Sequence, residues 1–278
     1  MSPTAGDPPL LGPGDELAPG YTVVAHLRRG NDLDVYDAWS ADRACRCVVK
    51  ALRPDRREHE PARRRLRSEG RFLLGLNHPH IVRAYDLVSR PDPVVALEVL
   101  QGETVGHLLT GRRRRLGVGE IAHLGLHLCS AMRYMHANGI LHIDLKPSNV
   151  IAEFGQAKVI DLSLARAPGR AKKGVGTRQY LAPEQATGGR LTAAADVWGI
   201  GVVLYEATTG RQAFPEGVAN ALDRPSGEWP ASGPARALRR APKGFTSLIE
   251  GSLEPEAVDR PTLGELSTGL RTCIVQSG

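Results

Sequence analysis

Three polar side chains near the middle of the chain have the chemistry that group transfer requires. Asp144 supplies a carboxylate, Lys146 an ammonium group, and Asn149 a carboxamide three residues further on. A second acid, Asp161, directly follows the short apolar run 158–160, which has the composition of a strand. A base for a hydroxyl, a cation for a transferring phosphoryl group and oxygen ligands for a hard metal ion are what phosphoryl transfer needs. The sequence therefore indicates a phosphotransfer site built around Asp144.

The composition of the 278 residues is that of a globular protein, with 41% hydrophobic residues. No apolar run approaches the roughly 20 residues that a membrane helix requires. The first twenty residues have neither the cationic start nor the apolar centre of a signal peptide. The cysteines have no framework spacing, which predicts free thiols in a reducing compartment. They are Cys45, Cys47, Cys129 and Cys273. We therefore expect a cytoplasmic protein without a membrane segment.

The net charge of +6 is accompanied by arginine clusters at 63–65 and 112–115. Nucleic acid, an anionic lipid surface or an acidic protein can each bind such clusters. No aromatic residues interleave the charges, as they do in a platform on which bases stack. We therefore interpret both clusters as a solvated helix face and a solvated loop, and we do not expect nucleic acid as a partner.

The hydrophobic pattern changes character after Gly102. Before it, short apolar runs separated by turn residues predict antiparallel strands, and one charged stretch has helical periodicity. The predicted strands are 21–27, 33–39, 45–52, 81–88 and 94–100, and the predicted helix is 58–76. After it, the predicted helices are 119–136, 193–208 and 262–273, of which the second is apolar almost all round. These elements predict an α+β protein with a disordered Pro/Gly-rich leader (1–19), a small, mostly antiparallel β lobe (20–100) and a larger helical lobe (101–278).

Three motifs occur in the order and at the spacing found in protein kinases. The segment 142–149 resembles the catalytic loop, and Asp161 followed by Leu162-Ser163 resembles the metal-binding Asp motif. Ala182-Pro183-Glu184 is similar to the Ala-Pro-Glu motif, and 196–199 to the start of the buried central helix. The resemblance is to the catalytic domain of eukaryotic-like (Hanks-type) bacterial Ser/Thr protein kinases and covers nearly the whole chain. It implies the two-lobed protein-kinase fold.

The resemblance assigns a role to each of the polar groups. Asp144 would accept or orient the proton of a substrate hydroxyl, and Lys146 would stabilise the transferring phosphoryl group. Asn149 and Asp161 would hold Mg²⁺, with Mn²⁺ as the alternative metal. Lys50 would reach the α- and β-phosphates of ATP and form an ion pair with Glu69, for which Arg67 and Arg71 are competing partners. Thr177 would bond Asp144 and Lys146, Glu184 would pair with Arg260, and Asp196 would bond the catalytic-loop backbone.

The resemblance also implies a nucleotide pocket. Leu27, Val35 and Val48 would cover the adenine, Ile151 would lie under it, Leu97 would be the gatekeeper, and backbone groups of Glu98 and Leu100 would bond its edge. Of the kinase glycine loop, Gly-x-Gly-x-x-Gly-x-Val, only Gly30 and Val35 remain. Glycine lets the backbone approach phosphate closely, so we expect looser phosphate contact. Asp32 and Asp34 add repulsion, which Arg28 or Arg29 would offset by pairing with phosphate.

Two absences concern regulation. Ile143 replaces the arginine that pairs with activation-loop phosphate in many kinases, and residues 164–176 contain no Ser, Thr or Tyr. We therefore expect activity without loop phosphorylation; the alternative is a floppy, basic loop and poor activity.

The function that we predict is a Mg-ATP-dependent Ser/Thr protein kinase acting on protein hydroxyls. One alternative is a pseudokinase scaffold with weak nucleotide binding, which the reduced glycine loop, Val48, Ile143 and Ser163 favour. The other is a small-molecule phosphotransferase, which the segment through Glu184 disfavours. The substrate, the regulatory input and the oligomeric state are not predicted.

Overall fold

The computed structural model describes residues 8–111, 116–218 and 241–277. These residues divide into two units by their internal contacts. The N-terminal unit contains the chain up to His78 together with Val82–Gln101. The C-terminal unit contains Pro79–Ile81 and the chain from Gly102 onward.

The N-terminal unit is an antiparallel sheet of six strands with one α-helix, as the α+β prediction requires. The strands are β1 (Glu16–Ala18), β2 (Tyr21–Arg29), β3 (Leu33–Ser40), β4 (Cys45–Leu52), β5 (Ala84–Val88) and β6 (Val94–Leu97). Their spatial order is β1-β2-β3-β4-β6-β5. The helix α1 (Glu60–Gly75) begins with Pro61 in its first turn, where a missing N–H costs nothing.

Helix α1 lies very close to the sheet. It buries Ala62, Leu66, Glu69, Gly70 and Leu73, which recur at intervals of one, three and four residues along one face. A Cβ atom at Gly70 would lie 2.9 Å from side-chain carbons of both Leu87 and Val95. The glycine therefore permits the close approach that buries the neighbouring Glu69 against the sheet.

The leader prediction was wrong for the part of it that the structure describes. Glu16–Ala18 form β1, which pairs with β2. Ala18 is buried with Tyr21 and Ala38, and Leu17 packs against the same cluster. Apolar burial at the end of the Pro/Gly-rich stretch therefore outweighs its composition. Residues 1–7 lie outside the described residues.

The C-terminal unit is mostly helical. Its described helices are α2 (Val105–Gly111), α3 (Val118–Ala137), α4 (Pro183–Thr187), α5 (Ala193–Thr209), α6 (Lys243–Ser252) and α7 (Leu263–Ser277). Its strands are short: β7 (Glu103–Thr104), β8 (Val150–Glu153), β9 (Gln156–Val159), β10 (Gly169–Arg170) and β11 (Arg190–Leu191). They form the sheet β7-β8-β9 and the antiparallel pair β10-β11.

Helix α5 is buried almost all round, as its composition predicts. It begins at the side-chain cap of Thr192 and ends at Gly210, which adopts the left-handed conformation that glycine favours. A Cβ atom at Gly199 would lie 2.8 Å from the Cβ of Leu145. The helix backbone therefore lies directly against the segment that carries Asp144.

Two predicted strands are shorter in the structure. The first begins at Ala84 because Ile81 instead forms a bridge with Val159 in the C-terminal unit. The second, β6, ends at Leu97. Among the residues that the structure describes, no helix is both long and apolar enough to cross a membrane.

Candidate active site

The catalytic-loop residues converge on the carboxylate of Asp144, which is 9% exposed. Lys146 Nζ lies 2.6 Å from Asp144 Oδ2. Asn149 donates from Nδ2 to the Asp144 backbone carbonyl at 3.0 Å and to Oδ2 at 3.2 Å. A single turn of 3-10 helix, Pro147–Asn149, brings the carboxamide back over the acid. The ammonium group of Lys146 and the carboxamide of Asn149 thus meet at the carboxylate of Asp144, all within six consecutive residues.

Asp196 holds the backbone of this loop through hydrogen bonds. It is fully buried in the first turn of α5. Its carboxylate accepts hydrogen bonds from the backbone N–H groups of His142 at 2.9 Å and Ile143 at 2.7 Å. It also lies 2.7 Å from His136 Nε2. Ile143 has φ of +56°, a conformation that costs a β-branched residue free energy. The hydrogen bonds from Ile143 and from the residue before it keep this backbone in place.

Thr177 connects a later segment to the same carboxylate. Its backbone N–H and its hydroxyl donate to Asp144 Oδ1 at 3.0 and 2.7 Å. Lys146 Nζ lies 2.5 Å from the Thr177 hydroxyl oxygen. Asp144, Lys146 and Thr177 therefore form a closed hydrogen-bonded triangle, the arrangement that the resemblance implies for substrate positioning.

Behind Thr177 the chain is braced by an ion pair. Arg260 donates from both terminal nitrogens to the two oxygens of Glu184, each at 2.8 Å. Arg260 is 6% exposed and also donates to the carbonyl of Ala194 at the start of α5. A buried, bidentate pair of this kind fixes orientation as well as distance.

The two residues predicted to hold a metal ion are brought together by the backbone. The N–H of Ile160 donates to the carbonyl of Asn149 at 3.0 Å, which places Asp161 next to the catalytic loop. Asp161 Oδ1 accepts a hydrogen bond from the N–H of Ser163 at 3.0 Å. A carboxamide and a carboxylate offer the hard oxygen atoms that Mg²⁺ prefers, so this donor set fits the ion. Within the described residues, no three His, Cys, Asp or Glu side chains cluster as a further metal site.

In the N-terminal unit, Lys50 Nζ lies 2.6 Å from Glu69 Oε1. The lysine side chain is 11% exposed and the glutamate is completely buried. Val35 lies opposite Lys50, and Val48 lies opposite Leu97 on the neighbouring strand. Four residues predicted to bind nucleotide therefore share one region of the sheet.

The other predicted nucleotide residues differ in exposure. Leu27 is 53% exposed near the end of β2, whereas Glu98 and Leu100 are half-buried after β6. The N–H of Glu98 donates to the Arg83 carbonyl, and its carboxylate accepts from the Arg83 N–H. Ile151 belongs to the C-terminal unit, where it is half-buried on β8.

The glycine loop corrects two predictions. Asp34 is 1% exposed and forms a bidentate ion pair with Arg29, with both hydrogen bonds at 2.8 Å. Arg29 also donates to the carbonyl of Pro8. The prediction that Asp34 repels phosphate was therefore wrong, because its charge is neutralised within the loop. Arg29 is buried in this clamp and does not offer its guanidinium to a phosphate; Arg28, which is exposed, remains the candidate.

Asp32, at the turn of the same loop, is also compensated. Arg65 of α1 donates to its carboxylate at 2.5 Å, and the side chains of His59 and Arg56 lie 3.7 and 4.0 Å away. The predicted repulsion from Asp32 is therefore wrong as well. Asp32 therefore ties the loop to the helix that carries Glu69, and its negative charge is compensated by that contact.

Two polar residues near the site were not predicted from the sequence. Gln185 donates from Nε2 to the carbonyls of Ile143 at 2.7 Å and Val175 at 3.0 Å. Glu206 of α5 is 8% exposed and faces Tyr180, while its Oε1 atom has no hydrogen-bond partner among the described residues. Burial raises the pKa of Glu206 to about 7. No local motif marks either residue, since each partner is distant in the sequence.

Comparison with known proteins agrees with this geometry. The family model of the protein kinase domain matches residues 21–269. The chain is 34% identical over 207 residues to a probable serine/threonine-protein kinase of Streptomyces coelicolor, covering 70% of this chain and 31% of that protein. It is 30% identical over 271 residues to the probable serine/threonine-protein kinase PknB of Bifidobacterium longum, covering 91% of this chain and 39% of that protein.

A third relative is the serine/threonine-protein kinase PrkC of Bacillus subtilis, at 31% identity over 208 residues, which cover 72% of this chain and 32% of that protein. The chain therefore belongs to the protein kinase family, among the Hanks-type kinase domains of bacteria. The matched regions span about a third of the length of these curated relatives.

The Arg29–Asp34 clamp predicts an asymmetric mutational response. Asp34→Asn leaves the buried guanidinium without its counter-charge, which costs about 3–5 kcal/mol of stability. Replacing both partners, as Arg29→Met with Asp34→Leu, should cost much less because no charge stays buried. Thermal unfolding measures the stability of the single and the double variant, and Asp42→Asn, at an exposed position, is the control. Equal stability of Asp34→Asn and the wild type would contradict the clamp.

Glu206 predicts a pH-dependent stability. Its folded pKa of about 7 lies above the ordinary value of 4.5, so the folded state loses stability as the pH rises from about 4.5 past 7. Glu206→Gln should remove this loss and stabilise the protein by up to about 3 kcal/mol at pH 8. The measurement is the melting temperature of both proteins across this range, with the exposed Glu256→Gln as the control. Parallel melting curves at all pH values would show that the Glu206 carboxyl is not desolvated.

Proposed function

We propose that the chain transfers the γ-phosphoryl group of Mg-ATP to Ser or Thr hydroxyls of protein substrates. The observation that carries this proposal is the triangle of Asp144, Lys146 and Thr177, in which a carboxylate, an ammonium and a hydroxyl meet within 2.7 Å. A threonine bonded to both groups supports the presentation of a substrate hydroxyl at this carboxylate. The printed names of the bacterial relatives, which are Ser/Thr protein kinases, support the same assignment.

Each polar residue of the site has its own chemical role in this reaction. The Asp144 carboxylate orients the substrate hydroxyl and accepts its proton as the bond to phosphorus forms. Lys146 places positive charge next to the same carboxylate, where the phosphoryl oxygens gain negative charge. Asn149 and Asp161 hold Mg²⁺, which supplies charge neutralisation of the phosphate oxygens when it is bound.

For nucleotide binding, we assign the contact with the α- and β-phosphates to Lys50. Glu69 holds the ammonium group at 2.6 Å, so little side-chain entropy is lost when a phosphate arrives. Val35, Val48 and Leu97 supply apolar surface on the same strands for the adenine ring. The family generally uses ATP with a divalent metal ion, and the oxygen donors of Asn149 and Asp161 fit that use.

We further propose that activity does not require phosphorylation of the activation segment. Ile143 is 3% exposed in an apolar cluster with Leu141 and Leu191, against which Leu164 and Val175 pack. Apolar contact thus joins the catalytic loop to the segment that, in other kinases, a phosphate–arginine pair orders. The bonds from Gln185 to Ile143 and Val175 reinforce the same junction without any added charge.

A second candidate function is a pseudokinase scaffold, which the single remaining glycine of the nucleotide loop favours. We also propose a reducing, cytoplasmic setting, because all four cysteines are free thiols in the structure.

The catalytic assignment predicts that Asp144→Asn lowers phosphoryl transfer by about 10²- to 10⁴-fold, because the proton acceptor is lost. Mg-ATP should still raise the melting temperature of the variant. Radiolabel transfer to a generic protein substrate and thermal shift measure the two effects, with the exposed Asp259→Asn as the control. Wild-type protein that shows the thermal shift without transfer would favour the scaffold. Undiminished transfer by Asp144→Asn would refute the role of this acid.

The apolar cluster around Ile143 predicts that phosphatase treatment leaves the initial rate of phosphoryl transfer unchanged, because no phosphate takes part in ordering the activation segment. Intact mass must show that the treated protein carries no phosphate, and inactivated phosphatase serves as the control. Loss of most of the activity, with the removed phosphate mapped to Ser163 or Thr177, would overturn the proposal.

A further inference from the structure

The segment between Asp161 and Glu184 has an unusual charge. It contains five basic residues and no acidic one. The five are Arg166, Arg170, Lys172, Lys173 and Arg178. Arg190 follows on the neighbouring strand β11, and we call Arg170, Lys172, Lys173 and Arg190 the cationic face. All four of these side chains are exposed.

Part of this face is electrostatically unfavourable in the protein alone. Arg170 of β10 and Arg190 of β11 lie directly opposite each other in the antiparallel pair. Like charges at directly opposed positions destabilise a sheet. Within the part of the chain that the structure describes, no carboxylate forms an ion pair with any residue of the cationic face. A bound anionic group would relieve this repulsion.

Backbone hydrogen bonds attach the face to the segment that follows Glu184. The N–H of Ala171 donates to Gly189 at 3.2 Å, and the N–H of Gly174 donates to Gln185 at 2.8 Å. Thr177, bonded to Asp144, follows Lys173 by four residues, which span at most about 14 Å of extended chain. The lysines therefore lie within reach of residues close to a hydroxyl presented to Asp144.

Two acids of the same unit do not neutralise this charge. Glu184 is occupied by Arg260 in a bidentate pair. Glu206 is 8% exposed, faces Tyr180 from within α5, and is not offered at the surface. A substrate approaching the segment therefore meets positive charge.

We propose that the cationic face selects protein substrates with Asp or Glu residues within about four positions of the target Ser or Thr. This inference rests on the proposed kinase function and adds a substrate class to it. Lys172 and Lys173 are the specificity-determining residues, and the Arg170–Arg190 pair adds attraction for a longer acidic stretch. Because the charges are exposed, the preference acts through binding and association and weakens with added salt.

The experiment compares three fluorescent peptides with the same central Thr, flanked by Asp and Glu, by Gln, or by Lys. Fluorescence polarisation on the full chain gives binding constants, and phosphorylation of the same peptides gives kcat and KM. We expect the acidic peptide to bind about tenfold more tightly than the neutral one, and its advantage in phosphorylation to lie in KM.

Two double variants distinguish the effect of the cationic face on peptide binding from the effect of the overall charge. Lys172→Gln with Lys173→Gln should abolish the preference and leave kcat on the neutral peptide unchanged. Lys243→Gln with Arg271→Gln, which removes two exposed charges from α6 and α7, should retain it. Thermal unfolding of both double variants shows whether each is folded.

The outcomes are distinguishable. Equal binding of the acidic and neutral peptides, or tighter binding of the Lys peptide, would overturn the inference whether or not any peptide is phosphorylated. Tighter, Lys172- and Lys173-dependent binding of a short DNA duplex than of the acidic peptide would also overturn it and make the face a nucleic-acid surface. Selective binding of the acidic peptide without phosphorylation of any substrate would support the inference while refuting the kinase function.

Discussion

The buried carboxylate of Asp196 is the interaction on which the rest of the site depends. Its two oxygens accept hydrogen bonds from the backbone N–H groups of His142 and Ile143, and one of them lies 2.7 Å from His136 Nε2. A fully buried carboxylate is costly unless such donors surround it, so the central helix and the catalytic loop require each other. The strained backbone of Ile143, which directly precedes Asp144, is retained because these bonds hold it.

A second theme is that this chain departs from the family pattern at the glycine loop and at the activation segment, and each departure brings its own internal contacts. Arg29 and Arg65 form ion pairs with the acids of the glycine loop and so limit its freedom. At the activation segment the substitution is of another kind, since Ile143 replaces a charged partner with apolar contact. Both sets of contacts are formed within the described residues. They agree with a domain that is ordered by its own packing.

Much of the fold was predictable because its signals are local. The strands at 33–39 and 45–52 and the buried helix at 193–208 agree with the structure to within one residue at each end. These elements have strict periodicity or uniform apolar character, which tertiary context does not override. The end of the predicted leader, Glu16–Ala18, was predicted wrongly because the packing of Leu17 and Ala18 depends on strands that lie later in the chain.

The sequence by itself determined the identity and order of the chemical groups, because Asp144, Lys146 and Asn149 belong to one short segment. It also determined the charge of the segment between Asp161 and Glu184, which composition alone reveals. Only the tertiary structure decided which partner each charge has. Arg29 pairs with Asp34 across a hairpin, and Glu184 pairs with Arg260, 76 positions later. The physical reason is that an ion pair depends on distance in space and burial, and neither follows from composition or spacing along the chain.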